Sequence, residues 1–221
     1  GSCTSPEAIK KSLIFKKTAT WCPYCGDWGV SYSTDITNAH ANCQVIALHG
    51  DSEFENTVGN NLMDALPSSG WPHFFAGTQD ISNSYYELNS AVNAELGKSI
   101  EVAMAIEKTT AGSTMNVRVQ SQWLGSIDGE FYLAVYVLED GQVAEQQIAG
   151  ASSDPNFVHK NVLRAEAYNS PFGVPVTING DGNLLEFNID LNSSWVASNC
   201  YPVAVMWKKN GSSFDFVNFV K

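Results

Sequence analysis

The stretch TATWCPYCGDWGV, Thr18–Val30, sets two cysteines, Cys22 and Cys25, two residues apart behind a tryptophan. Ahead of them SLIFKKTAT (Ser12–Thr20) is a short apolar run that reads as a strand. Behind them no proline interrupts the chain from Tyr24 to His40, and Trp28, Tyr32, Ile36 and Ala39 recur at helical spacing, the stripe of an amphipathic helix. Pro23 suits the first turn of that helix, where its missing N–H leaves nothing unpaired. CQVIALHG (Cys43–Gly50) reads as a second strand, apolar without a break from Val45 to Leu48, as expected when both faces are covered. Strand, helix and strand of these lengths form a βαβ unit with parallel strands and a right-handed crossover. Both strands then end on one edge of the sheet, which brings His49 and Asp51 toward Cys22.

That placement defines a chemistry. A thiol is a nucleophile only as thiolate, and the first turn of a helix offers unpaired N–H groups that favour the charge. Cys22 sits where those groups converge. Cys25, one turn inside, lies beneath it and is more shielded, so Cys22 attacks and Cys25 resolves the mixed disulfide.

Downstream, Val58–Leu66 is a short helix, His73–Ala76 a third strand, and Tyr85, Leu88, Val92 and Leu96 form a helical stripe stopped by Gly97. From Ser99 on, apolar residues alternate with period two, as in Met115, Val117 and Val119 or Leu185, Phe187 and Ile189, between turns such as NGDGN (Asn179–Asn183). This describes an antiparallel sandwich. The predicted fold is therefore an α/β unit over residues 11–97, after a tail or linker at 1–10, followed by an all-β sandwich over 98–221.

Composition narrows the partners. The formal charge of −11 repels a phosphate backbone, so nucleic acid is excluded as a partner. No apolar run reaches the roughly 18 residues a membrane-crossing helix needs. Membrane attachment is expected only through a lipid on Cys3, as the modified first residue of a lipoprotein. Five cysteines are too few for a disulfide scaffold and leave at least one unpaired. Cys43 and Cys200 read as small apolar side chains, and His40 and His159 as locally satisfied polar residues. A zinc set of Cys22, Cys25, His40 and Cys43 has metal-like spacing, but a helix over 23–40 would hold its ends roughly 25 Å apart at about 1.5 Å per residue. No metal and no cofactor is expected.

WCPYC after a strand and at the opening of a helix resembles the active site of the thioredoxin superfamily, and its Pro23-Tyr24 pair is similar to that of glutaredoxins. GWPHFF (Gly70–Phe75) places Pro72 where that superfamily carries a cis-proline facing the dithiol. The resemblance implies a cis Trp71–Pro72 bond, with Trp71 pairing with substrate and capping the site, and Trp21 as a further residue that shapes it. Six positions before the first cysteine, where thioredoxins bury an acid, this chain has Lys16, which implies a more oxidising pair.

The whole chain resembles the two-domain outer membrane protein 28-related family, through WCPYC, ALHGDSEF (Ala47–Phe54) and HKNVLR (His159–Arg164). That family joins a thioredoxin-like domain to an immunoglobulin-like sandwich, and it implies the bacterial cell envelope. The expected activity is thiol–disulfide exchange by Cys22 and Cys25 on protein or small-molecule thiols, with the sandwich docking an envelope protein. The alternative is a non-enzymatic envelope binding scaffold whose dithiol is vestigial.

Overall fold

The computed structural model describes residues 5–50, 53–180 and 182–221, so Cys3 and Asp51 lie outside the described residues. Strands β1 (Ser12–Thr18) and β2 (Cys43–His49) pair in parallel with Thr18 opposite His49, and every residue of both is buried. They are joined not by one helix but by two, α1 (Pro23–Gly26) and α2 (Trp28–Ala39). The break falls at Asp27, whose φ of −99° and ψ of −103° leave the helical region. Cys22 thus heads a single turn rather than a long dipole, and the expectation of one helix over 23–40 is corrected. The chain continues through α3 (Thr57–Ala65), β3 (His73–Ala76), β4 (Gln79–Ser82) and α4 (Tyr85–Leu96). β3 runs antiparallel to β1 and sets Phe74 opposite Lys16.

The remainder is β structure: β5 (Val102–Ala111), β6 (Thr114–Trp123), β7 (Phe131–Glu139), β8 (Gln142–Gln146), β9 (Asp154–His159), β10 (Val162–Glu166), β11 (Val174–Val176), β12 (Asn183–Asp190), β13 (Cys200–Asn210) and β14 (Ser213–Val220). The described residues are mostly β, in three sheets. Alternation along β6 buries Met115, Val117 and Val119, which the sheet β12-β6-β5 presses onto Val135, Val137, Ala204 and Met206 of β7 and β13. That layer pair is a sandwich.

The main sheet does not stop at Gly97. Its order, β14-β13-β7-β10-β2-β1-β3-β4, runs through strands from both sides of that position. The seam is the parallel contact of Val162 with Ala47, where the Ala47 N–H donates to the Asn161 carbonyl at 2.9 Å. Asn161 holds φ at 56°, and its side-chain oxygen accepts from Gln44 and Tyr201. On one face a single core crosses the seam, with Phe15 stacked on Trp207 at 6.0 Å and α3 packed above through Val58 and Leu62. On the other face α2 and α4 cover Ile14, Val45 and Phe74 with Ile36, Leu88 and Val92. Beside the seam, fully buried Glu139 pairs with Arg164 at 2.7 Å, and its other oxygen accepts from the Val196 N–H.

Candidate functional site

The parallel pairing of β1 and β2 delivers Ala19–Cys25 and His49 to one sheet edge. There Cys22 and Cys25 form a disulfide with Cα atoms 5.2 Å apart. Cys22 caps α1, and its Sγ accepts from the Cys25 N–H at 3.2 Å. The pair is 3% and 1% exposed respectively, so the site is covered rather than open. Trp71 packs against the pair, its ring 6.0 Å from that of Trp21, and the Trp71–Pro72 bond is cis. Trp21 and Tyr24, close to Cys22 in the chain, are exposed. Pro72 sits close against α2: a Cβ on Gly29 would come within 2.8 Å of its Cγ, which only glycine avoids.

The other cover comes from the far half of the chain. Strands β8 and β9 form a hairpin that lies over the cysteines. The buried Gln146 amide nitrogen is within hydrogen-bond distance of the Thr20 and Cys22 carbonyls at 3.1 and 3.0 Å. The Gln147 N–H donates to the Thr20 carbonyl and the Ala149 N–H to that of Pro23. The hairpin backbone comes so near that a Cβ on Gly26 would overlap the Gln147 carbonyl oxygen. Nothing in the period-two pattern announced this hairpin, and Gln146 is the site residue that sequence reading missed.

Behind Cys25 lies a cavity of about 360 Å³ between α2, the sheet and β9. Lys16 and His49 form its inner end, and Phe157 and His159 line the hairpin side. Lys16 is 9% exposed, and its side-chain ammonium makes no hydrogen bond or ion pair among the described residues. Burial alone lowers its pKa to about 8. Burial, then the Lys16 and His159 charges, holds His49 well below the usual histidine range, and burial lowers His159 as well. His49 Nδ1 and His159 Nε2 are buried without partners, with rings 5.6 Å apart. His159, expected to be a locally satisfied polar residue, does bond the Ala144 backbone, and its ring also belongs to this cluster.

The other singled-out residues lie elsewhere. His40 Nε2 bonds Asn89 at 2.7 Å, and His73 pairs with Asp80. Cys43 and Cys200 are buried free thiols, raised by burial to about 12 and about 11, and neither approaches reactivity.

A family model described as outer membrane protein Omp28 matches residues 75–220. A solved structure, HBP35 of Porphyromonas gingivalis, aligns with a TM-score of 0.83 over 98% of this chain and 76% of its own, at 14% identity. At that identity the likeness is one of fold. No curated protein matches the chain.

Proposed function

Since the chain belongs to the outer membrane protein Omp28 family, its location is the bacterial cell envelope, and we propose that there it exchanges thiols and disulfides through Cys22 and Cys25. The observation that carries this reading is the closed Cys22–Cys25 disulfide at the sheet edge, with Lys16 and Cys25 on the walls of one cavity. The parallel unit of β1 and β2 with its intervening helices, and cis-Pro72 opening β3, support a thioredoxin-like reading of this half.

A partner thiolate attacks Cys22 Sγ, the Cys22–Cys25 bond breaks, and Cys25 leaves as a thiolate. A second partner thiolate then attacks the partner sulfur of the mixed disulfide and releases Cys22. The partner gains a disulfide, and the two cysteines take up its two electrons. A Lys16 ammonium near the Cys25 thiolate favours the reduced pair, so the pair is an oxidant.

In Cys25→Ser the free Cys22 thiolate opens a partner disulfide by the reverse of this exchange, and with no Cys25 thiol to attack Cys22 and displace the partner the mixed disulfide is held. Covalent adducts recovered from intact cells through Cys22 support exchange, and their absence overturns it. The near-complete burial of both cysteines favours the second reading, an envelope binding scaffold with a static bond. In that case the pair resists glutathione, and no adduct forms.

A further inference from the structure

We infer that the cavity behind Cys25 is a binding site for a small organic acid, one carboxylate on an apolar body, seated with its carboxylate toward Lys16. The chain carries a net charge of −11, yet among the described residues no aspartate or glutamate lines this cavity. Its charged and titratable groups are Lys16 from β1, Cys25 from α1, His49 from β2, and His159 and Lys160 from the hairpin end. Glu53 and Arg164 reach the histidines only from outside the lining. A buried ammonium with no counter-charge among the described residues is costly, because none of them repays its lost hydration. An anion in the cavity supplies that charge.

The walls select the rest of the molecule. One buried lysine, with Lys160 exposed at the rim, is a compact point charge suited to a monoanion, whereas a phosphate calls for several converging donors. The α2 wall presents Val30, Ser33 and Thr37, but the Ser33 and Thr37 hydroxyls already donate to carbonyls of their own helix. Val45, Ala47 and Phe157 supply apolar surface on the floor and the opposite side. The volume of about 360 Å³ falls in the range of small-molecule pockets, roughly 300–1,000 Å³. Thr34, Asn38, Val158 and Lys160 are exposed at the rim, so entry lies between α2 and β9, away from the approach to Cys22.

Benzoate is the probe, titrated calorimetrically into the oxidised full chain near neutral pH. Benzyl alcohol supplies the body without the charge, and inorganic phosphate the charge without the body. One benzoate should bind per chain, roughly tenfold more tightly than either control. Lys16→Met, and Thr37→Phe filling the cavity from α2, should each weaken it by roughly tenfold or more. Above pH 8 affinity should fall about tenfold per pH unit as Lys16 loses its proton. No saturable binding overturns the site, as does binding that both variants leave unchanged. Equal binding of benzyl alcohol overturns the role of Lys16, and tighter binding of phosphate overturns the apolar body. The site does not depend on the redox reading: the oxidised wild-type chain should bind benzoate whatever exchange assays give.

Discussion

Replacing Lys16 by methionine should stabilise the protein, by an amount that depends on pH. Folding moves the Lys16 pKa from 10.5 to about 8, and burial is the cause. At about 1.4 kcal/mol for each tenfold change, the folded state disfavours the ammonium by about 3 kcal/mol. The sign follows from the lowered value. Below pH 8 the side chain is charged in both states, and folding carries the whole penalty. As pH rises from 8 toward 10.5 the folded side chain sheds its proton first, and the penalty fades. Methionine has similar length and no charge to bury, so Lys16→Met should gain about 3 kcal/mol at about pH 7 and under about 1 kcal/mol at about pH 10. Paired urea denaturation of wild type and variant at both pH values measures it, and comparing the two cancels every other titrating group. A loss of stability at neutral pH, or a gain equal at both values, refutes the picture of an uncompensated buried ammonium.

Three further outcomes follow from the packing. Gln146→Ala removes the amide bonds to the Thr20 and Cys22 carbonyls, which keep their backbone donors, and should cost about 0.5–1.5 kcal/mol; alkylation of reduced Cys25 should quicken as the hairpin loosens, and mass spectrometry follows both cysteines. Trp71→Ala uncovers the disulfide and should speed its reduction by dithiothreitol severalfold, read in a stopped-flow assay. Glu139→Ala strands the Arg164 guanidinium beside the seam and should cost about 3–5 kcal/mol in a urea titration.

How far the sequence carried is clearest residue by residue. β1, β2, β3 and α4 were legible because their signals are local: continuous apolar runs for buried strands, a helical stripe closed by Gly97. The period-two run after Ser99 disclosed β6, β7, β12 and β13 for the same reason. The break at Asp27 escaped because Trp28, Tyr32 and Ile36 keep their stripe whether or not the turn before them is continuous. The hairpin over the cysteines escaped because Gln146 reaches Cys22 across a separation of 124 residues, and only the fold makes that contact. The continuous sheet hid likewise behind one strand contact, Val162 to Ala47, made by the HKNVLR segment whose composition says nothing of pairing. Lys16 was legible as the unusual residue of the site, and the structure adds its isolation in the cavity.

The central claim, that Cys22 and Cys25 cycle, is tested most directly by titrating the folded protein against thiol buffers of graded potential and quantifying the dithiol. A cycling pair gives a reversible two-electron transition at a potential more positive than the roughly −270 mV of thioredoxin, moved to a lower value by Lys16→Met. A pair that stays oxidised until below about −300 mV, in the range of structural disulfides, contradicts it.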